Sequence, residues 1–507
     1  MLTILVYLGG MIIIGIYCSK KNENVGDFYL GGRKLGPFVT AMSAEASDMS
    51  SYLLMGLPGL AYLSGVADVG WTAIGLAIGT YLNWLVVAKK IRIYTHRLDA
   101  ITIPDFFSRR YHDEKNILMC IAAVVIIIFF IPYTASGFAA CGKLFSTLFG
   151  VNYIPAMVIS AIVIVLYTAM GGFLAASTTD LIQGIVMSIA LLIIVFFGIH
   201  IAGGFDAVMD NARSMTGYLN LTMTHDPVSK TASPYGFLTI CSTLAWALGY
   251  FGMPHILLRF MAIEDHNKLK LSRRIAVIWV VIAMGVAILI GIIGNAMTKV
   301  GAVPLLEGSA SETIIVCVSD LLSKHGCLAA IVAGIVLSGI LAATMSTADS
   351  QLLVSASSVA EDIFKGLLKK DADDKTVMNV SRITVLVVAV LAYIIAWNPN
   401  NTVMGLVSNA WAGLGAAFGP LVVMSLYWKR TNFPGAVAGI VTGALAVIIW
   451  DYIPLVGGQT LGKATGLYSL VVGFGLGLIA IIAVSLATKA PSEEMLQEFE
   501  DVKANRL

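Results

Sequence analysis

The 507-residue sequence is poor in charged side chains. Only 12% of its residues are charged and 58% are hydrophobic, whereas soluble domains carry about 25% charged residues. A chain of this composition has too little polar surface for a water-soluble globule of its size. We therefore interpret residues 1–507 as a single transmembrane domain.

The signatures of several functional classes are missing from the sequence. It has no glycine-rich phosphate loop of the Walker type and no basic patch with interleaved aromatic residues. The six cysteines form no CxxC pair, and the seven histidines form no HExxH motif. We find no nucleophile–base pair. We therefore expect no enzymatic activity, no resident cofactor and no nucleic-acid partner.

Long apolar runs dominate what remains. A helix needs about 20 apolar residues to cross the hydrocarbon core of a bilayer. This criterion predicts an all-α polytopic protein with about thirteen transmembrane helices, at residues 2–18, 37–62, 67–90, 116–146, 152–170, 180–203, 234–254, 275–299, 327–360, 378–397, 402–427, 434–454 and 464–487. Residues 488–507 follow as a polar tail that we expect to be a short solvated helix.

The basic residues are distributed unevenly over this predicted topology. If the N-terminus lies outside, the cytoplasmic joints, helix ends and tail hold 26 of the 32 lysines and arginines. Short cytoplasmic loops are generally enriched in positive charge. We therefore predict a multi-pass protein of the cell membrane, with an outside N-terminus, an uncleaved first span and a cytoplasmic C-terminus.

Two predicted spans contain helix-breaking residues. The second span is expected to be interrupted at residues 56–59 (Gly-Leu-Pro-Gly), and the seventh at residues 249–254. The two spans are five apart, so they run in opposite directions. Broken helices at matching positions of inverted halves are typical of secondary transporters. We therefore predict a first inverted repeat over 37–203 and a second over 234–430.

The second span also carries two carboxylates, Glu45 and Asp48, among several serines. Intramembrane carboxylates are costly and usually functional. For Asp48 we favour a functional role over that of a structural acceptor for helix ends or for Arg33. Glu45 is nearer the cytoplasmic end, where its carboxylate could reach solvent. Asp180 begins the sixth predicted span, where stabilising the helix N-terminus and lying in the ion path are both open.

Hydroxyl groups and free carbonyl groups form a candidate sodium site. An interrupted second span would offer carbonyl oxygens near Ala46 and Met49, and unwound carbonyls of this kind coordinate sodium in transporters. Ser346 and Thr347 are adjacent, so both hydroxyls could reach one ion. The alternative is that these hydroxyls bond to their own helix or to a neighbouring one.

Aromatic residues suggest where an organic solute would bind. Trp246 and Tyr250 are four residues apart, so they share a helix face beside Pro254. Tyr133 could complete an aromatic box. Aromatic faces suit a small apolar ring or a secondary ammonium group, although aromatic stripes also occur as simple packing.

These residues resemble the sodium/solute symporter family over nearly the whole chain. The resemblance is carried by LGGRKLGPFVTAMSAEASDMSSYLLMGLPG (30–59), GGFLAASTTD (171–180), WALGYFGMPHILLRFMA (246–262), LAATMSTADSQLLV (341–354), LVSNAWAGLGAAFGP (406–420) and SLYWKRTNFPGAVAGIVTG (425–443). It implies the five-plus-five inverted-repeat fold of the LeuT type, with one extra N-terminal and two extra C-terminal helices. It also implies sodium-coupled uptake of L-proline by alternating access.

The resemblance further implies roles for particular residues. Sodium would be bound by the carbonyls of Ala46, Met49 and Ala343 and by the hydroxyls of Ser346 and Thr347. Coupling or the inner gate would involve Asp48, Arg33 and Asp180. Proline would be held near Ser50, Tyr133, Trp246, Tyr250 and Pro254. We expect a monomer to suffice, with sodium, L-proline and the lipid bilayer as its partners.

The sequence departs from the family's pattern at three positions. Ser51 and Tyr52 stand where Gly-Trp is usual, and Glu45 stands where a small or amide residue is usual. The first two adjoin the expected pocket and bear on substrate range, whereas Glu45 could add sensitivity to cations or pH. A sodium symporter of another amino acid, a vitamin or a sugar therefore stays open, as does a membrane sensor that binds without transport.

Overall fold

A computed structural model of the chain describes residues 2–20 and 24–504 and consists mainly of helices. Residues 505–507 of the predicted tail lie outside this range. The helices of the first half are α1 Leu2–Ser19, α2 Val25–Leu30, α3 Pro37–Asp48, α4 Leu57–Ser64, α5 Val66–Leu82, α6 Ala88–Arg97, α7 Ile103–Arg110, α8 Ile117–Phe149, α9 Tyr153–Ile201 and α10 Phe205–Ser214.

The helices of the second half are α11 Phe237–Leu244, α12 Trp246–Gly249, α13 Pro254–Ala262, α14 Leu269–Lys299, α15 Ile314–Ser323, α16 Cys327–Ser357, α17 Asp374–Ala396, α18 Val403–Tyr427, α19 Phe433–Tyr452, α20 Leu461–Thr465, α21 Ser469–Ala487 and α22 Glu493–Lys503. Two small antiparallel hairpins pair β1 Met223–His225 with β2 Ala232–Pro234, and β3 Pro454–Val456 with β4 Gln459–Thr460. These hairpins are the exception to the all-α prediction, and they lie in connections between long helices.

The helices have the length and hydropathy of membrane spans. Within the described residues, nine helices meet these criteria, or ten when the bent helix over α11–α13 counts as one span. Three shorter apolar helices accompany them, at Leu2–Cys18, Tyr52–Ser64 and Tyr153–Leu166. Many large apolar side chains on these helices are exposed, as expected of a surface that faces lipid rather than water. The chain is therefore a helical polytopic membrane protein.

The first broken helix is interrupted earlier than predicted. The α3 helix ends at Asp48, and Met49 leaves the helical geometry with a ψ of 8°. A π-helical turn follows at Tyr52–Gly56, and Pro58 occupies the first turn of α4. Proline is well tolerated there because the first turn does not need its N–H group. The predicted interruption at residues 56–59 is therefore wrong.

The second broken helix lies where it was predicted. The α12 helix ends at Gly249, a 3₁₀ turn covers Tyr250–Gly252, and Met253 is extended with a ψ of 105°. The α13 helix then starts at Pro254, and the two halves of the span are bent by 47°. The bend leaves main-chain groups near the middle of the span without helical partners, as in the broken helices of transporters.

The predicted fifth and sixth spans both lie within α9, which continues from one to the other through a kink. Gly172 breaks the helical geometry of α9, with a φ of 65° and a ψ of −174°. A positive φ is readily adopted only by glycine, which explains a sharp kink at this position. Asp180 therefore lies more than two turns inside the second half of α9. The interpretation of Asp180 as a group at a helix N-terminus is wrong.

The cytoplasmic tail prediction is only partly correct. The α22 helix does form, but Met495, Phe499 and Val502 are buried on one of its faces. This spacing is that of an amphipathic helix that docks on a protein surface. At the polar edge of α22, Asp501 forms an ion pair with Arg97 at 2.7 Å. The tail is thus a docked helix rather than a solvated one.

Candidate functional site

The predicted sodium ligands meet where the last turn of α3 crosses α16. The Ser346 hydroxyl donates hydrogen bonds to the carbonyls of Ala46 at 2.7 Å and Ala343 at 3.2 Å. The Thr347 hydroxyl donates to the same Ala343 carbonyl at 3.3 Å. All four residues are buried. Ala46 and Ser346 are 300 residues apart, so only the tertiary fold brings these oxygens together.

Met49 lies at the break itself. Its carbonyl accepts a hydrogen bond from the Leu53 amide at 3.2 Å, and its own amide donates to the main-chain carbonyl of Glu45 at 2.8 Å. Carbonyls in the last turn of a helix lack some of their intrahelical partners. Neutral carbonyl and hydroxyl oxygens of this kind are suitable ligands for a sodium ion.

Asp48 is joined to the second broken helix. The Tyr250 hydroxyl donates to its carboxylate Oδ2 at 2.5 Å, and the Tyr133 hydroxyl donates to its main-chain carbonyl at 3.4 Å. The side chain of Asp48 is buried, with 5% exposure. The carboxylate thus connects the two breaks. Arg33 bonds to other residues, so the alternative that Asp48 is a structural acceptor for Arg33 is wrong.

Two of the predicted aromatic residues, Trp246 and Tyr250, contact Trp411, which was not predicted as a site residue. Trp411 donates its indole N–H to the Trp246 carbonyl at 2.9 Å, and its ring stacks on that of Trp246 at 6.1 Å. Its ring also meets Tyr250 edge-on at 5.0 Å. Trp411 lies within the run 406–420, so the resemblance marked its segment but not its role. Tyr52 and Tyr468 stack on the Trp246 ring at 6.1 and 5.5 Å.

The other two predicted pocket residues lie at the breaks. Ser50 follows Met49, and its hydroxyl accepts the Tyr52 amide at 3.2 Å. Pro254 is buried at the start of α13. A cavity of about 370 Å³ reaches Trp246 and is also lined by Tyr468. Its volume is within the range of small-molecule pockets.

A buried ion pair occupies the space between α9 and α13. Arg259 donates to Asp180 at 3.1 Å, with side-chain exposures of 1% and 0%. Ser43 donates to the same carboxylate at 2.6 Å and accepts from Arg259 Nε at 3.0 Å, while Arg259 also donates to Ser350 at 2.5 Å. Arg259 was not among the site residues predicted from the sequence, although it is the only charged residue in the run 246–262.

Arg33 lies apart from the other predicted residues. Its guanidinium donates to the carbonyls of Met261 at 2.9 Å, Ala100 at 2.6 Å and Thr95 at 3.1 Å. It thereby ties the end of α13 to the connection after α6. Burial lowers the pKa of Arg33 to about 10, which still leaves the guanidinium charged at neutral pH.

The profile of the sodium:solute symporter family matches residues 28–443. The chain belongs to this family.

Curated relatives match it over nearly their full length. The osmoregulated proline transporter OpuE of Bacillus subtilis is 41% identical and covers 97% of this chain, with 96% of its own length matched. The sodium/proline symporter of Escherichia coli is 42% identical and covers 100% of this chain, with 96% of its own length matched. Sodium/proline symporter 2 of Staphylococcus saprophyticus is 41% identical and covers 99% of this chain, with 95% of its own length matched.

Solved structures support the same fold for this family member. A substrate-bound, outward-open Na⁺-coupled sialic acid symporter matches with a TM-score of 0.79 at 18% identity, covering 97% of this chain and 98% of that one. A nucleobase-cation-symport-1 family transporter in a closed conformation matches with a TM-score of 0.54 at 14% identity, covering 93% and 98% respectively. At these identities the likeness concerns the fold alone.

Proposed function

We propose that this family member takes up L-proline together with sodium across the cell membrane by alternating access. The observation that carries the proposal is the contact between Ser346 and Ala46, which joins the broken helix to α16 through oxygen atoms. The names of relatives about 41% identical over the full length support proline as the solute. Sodium is a substrate of this cycle rather than a resident cofactor.

The architecture that goes with this function is a pair of inverted repeats. We assign 37–203 to the first repeat and 234–430 to the second, with one extra helix before them and two after them. The nine long helices, the bent span and the three shorter helices would supply the thirteen spans. The N-terminus would lie outside and residues 488–507 in the cytoplasm. One chain contains every proposed ligand, so a monomer would suffice.

Sodium would stabilise the broken helix against α16. Its ligands would be the carbonyls of Ala46, Met49 and Ala343 with the hydroxyls of Ser346 and Thr347. These hydroxyls now donate to carbonyls, and a hydroxyl rotates easily so that its lone pairs face a cation. Once the ion holds both helices, the neighbouring solute pocket would be complete.

Proline would bind between the two breaks. Ser50, Tyr133 and Pro254 lie at or beside the breaks, and the rings of Trp246 and Tyr250 would cover the apolar ring of the solute. Aromatic faces also attract the secondary ammonium group of proline. Asp48 would transmit sodium binding to the pocket, because its carboxylate is bonded to Tyr250. Proline is a zwitterion, so one sodium carries one net charge, worth about 2.3 kcal/mol per 100 mV.

Arg33 and Asp180 would act in gating rather than in binding. The hydrogen bonds of Arg33 close the inner end of α13, and Asp180 holds Arg259 on the same helix. Inward opening would require these contacts to rearrange. In alternating access such changes occur as one bundle rocks against the other.

The test is uptake of labelled proline into proteoliposomes with an imposed sodium gradient. The double substitution Ser346→Ala and Thr347→Ala should abolish sodium-dependent uptake and weaken sodium binding. Ser338→Ala is the matched control, because Ser338 lies in the same helix and its hydroxyl donates to the Gly334 carbonyl one turn away rather than to the broken helix. Unchanged sodium affinity in the double variant would reject this ion site.

Two controls separate the alternative functions. A panel of unlabelled amino acids, vitamins and sugars that compete with proline would identify a different solute. A sensor would bind proline without moving it, so binding without sodium-driven flux would contradict the transport proposal.

A further inference from the structure

Glu45 and Asp362 are buried carboxylates that take no part in the sites described above. Each is 1% exposed. Glu45 accepts the indole N–H of Trp84 at 2.9 Å, so the expectation that its carboxylate reaches solvent is wrong. Asp362 lines a cleft of about 670 Å³, where a ligand from outside the protein can approach it. This volume lies within the range of small-molecule sites.

Three segments of the chain form the walls of this cleft. They are α7 with the residues just before it, the connection from α7 into the first turn of α8, and the π-helical segment Ser358–Leu368 that continues α16. Thr102 donates to Asp362 Oδ1 at 2.6 Å, and Asn116 donates its amide to the Gly366 carbonyl at 2.7 Å. These two bonds hold both ends of α7 against the π-helical segment. In the proposed topology the cleft opens to the cytoplasm.

Acidic side chains predominate in the lining of the cleft, which contains six carboxylates. The two permanently cationic side chains, Arg109 and Lys365, each lie beside one of these carboxylates, at 2.7 and 3.7 Å. His112 also lines the cleft but pairs with Glu498 of α22. Within the described part of the chain, the other four carboxylates form no ion pair, and they are Asp99, Asp113, Glu114 and Asp362. The excess of negative charge attracts a cation to the cleft.

Asp362 is the most deeply buried of these four carboxylates. Its Oδ1 accepts the Thr102 hydroxyl, whereas its Oδ2 has no hydrogen-bond partner among the described residues. Oε1 of the adjacent Glu361, which also lines the cleft, has no such partner either. A buried carboxylate is costly unless a cation or hydrogen-bond donors lie against it. These two oxygens therefore indicate where a cationic ligand would bind.

Both carboxylates lie in an unusual stretch of helix. The π-helical segment Ser358–Leu368 is 11 residues long. Helical turns of this kind are rare and frequently occur at functional sites. This observation does not depend on the charge of the cleft, and it points to the same two residues.

The placement of the carboxylates favours an organic cation over a metal ion. Within the described residues, no group of three or more histidine, cysteine or acidic side chains could hold a metal. The carboxylates are instead spread over the three walls of the cleft. A linear polyamine carries several ammonium groups separated by short alkyl chains, and each terminal ammonium group has three donors. One such molecule can therefore contact carboxylates on different walls.

We propose that this cleft binds a linear polyamine. One ammonium group binds Asp362 Oδ2 and Glu361 Oε1, and another binds the carboxylates of the α7–α8 connection at residues 113–114. The bound molecule joins this connection to the end of α16, the helix that carries Ser346. It therefore slows the movements of alternating access, an effect that rests on the proposed function.

The decisive experiment measures the binding of radioactive spermidine, a linear polyamine, to the purified protein in a buffer without sodium and proline. Wild type should bind one molecule per chain. Asp362→Asn should weaken this binding by at least about tenfold, because a hydrogen bond between buried charged groups is lost. Asp206→Asn is the matched control, because it makes the same chemical change at an exposed position in α10.

Two competitors separate a polyamine site from other cation sites. Butylamine has a single ammonium group, so it should displace spermidine at least about tenfold less effectively than unlabelled spermidine does. Magnesium ions should compete no better than butylamine. Should Asp362→Asn fail to fold, Glu361→Gln decides, and it too should weaken spermidine binding by about tenfold.

The effect on transport is measured with spermidine enclosed in proteoliposomes. It should slow sodium-driven proline uptake by wild type, and it should slow uptake by Asp362→Asn much less. Unaffected uptake in wild type that binds spermidine would overturn the regulatory part of the proposal.

The site itself would be overturned by a wild type that does not bind spermidine saturably. Unchanged affinity in folded Asp362→Asn or Glu361→Gln, or equal competition by butylamine or magnesium, would also overturn it. A lack of sodium-driven proline uptake in wild type would instead contradict the proposed function. The binding experiment contains neither sodium nor proline, so the two failures can be told apart.

Discussion

Arg259 shows how one side chain organises the interior of this family member. Its guanidinium contacts residues on α3, α9 and α16 as well as its own helix. Three of these partners, Ser43, Asp180 and Ser350, are buried with it. In the membrane interior a lone charge is very costly, and its cost is offset only by a complete set of partners. The residue therefore holds α13, the second half of the second broken helix, in one arrangement.

A double-mutant cycle tests this ion pair. Asp180→Asn and Arg259→Gln should each cost about 3–5 kcal/mol of stability, because each leaves a buried charge without its partner. The double variant should cost less than the sum, with a coupling energy of about 0.5–3 kcal/mol. Thermal unfolding in detergent measures all three variants.

The control for this cycle is Asp320→Asn, which breaks an exposed pair with Lys324 and should change stability by at most about 1 kcal/mol. Strictly additive effects at Asp180 and Arg259 would show that the two side chains do not depend on each other.

At the scale of elements, the broken span is supported by unusually close helix packing. A Cβ on Gly291 of α14 would lie 2.4 Å from the Pro58 carbonyl and 2.6 Å from the Ala61 Cβ. Glycine at such a contact lets two helix backbones approach, which is a common way for helices to associate in membranes. The second half of the first broken span, α4, is therefore packed directly on α14.

A pair of substitutions in α14 tests this contact. Gly291→Ala should destabilise the protein by about 1–3 kcal/mol because the added methyl group overlaps α4. Gly285→Ala adds the same methyl group in the same helix, where no atom lies within 4 Å. Stability should then be unchanged or slightly higher, since alanine favours helices over glycine by up to about 1 kcal/mol. Equal melting temperatures of the two variants in detergent would contradict the role of this packing.

At the scale of the whole molecule, the docked tail helix α22 joins connections that contain basic residues. The docked tail helix α22 contacts Arg97, His112 and Lys429, which belong to three different parts of the chain. Acidic side chains of α22 thus bridge segments that the predicted topology places together. The predicted topology places these segments in the cytoplasm, and cytoplasmic connections are generally enriched in lysine and arginine.

Thiol labelling of intact cells tests this orientation. In a cysteine-free variant, Lys230→Cys should react with a membrane-impermeant reagent, because the hairpin of β1 and β2 would face outside. Lys370→Cys, before α17, should react only after the cells are opened. Both positions are exposed, so accessibility to the reagent depends only on the side of the membrane. The reverse labelling pattern would invert the proposed topology.

Much of this architecture follows from local properties of the chain. Apolar runs identify most spans because the thickness of the bilayer imposes their length. The break at residues 249–254 is visible because two glycines and a proline occur within six residues of an apolar span, and a proline removes a hydrogen-bond donor that a helix interior needs. The hydroxyl pair on α16 that we propose as sodium ligands could also be picked out in the sequence, since adjacent hydroxyls stand out in an apolar span.

Other features depend on contacts between distant residues. The first break lies at Met49 rather than at residues 56–59, because Pro58 fits the first turn of a new helix and α4 packs on α14. Asp180 pairs with Arg259, which is 79 residues away in the sequence, and the Trp246 carbonyl accepts from Trp411, which is 165 residues away. Hydropathy reports only whether a segment prefers lipid. Which buried polar group meets which partner is decided by packing, because each desolvated group is stable only opposite a complementary one.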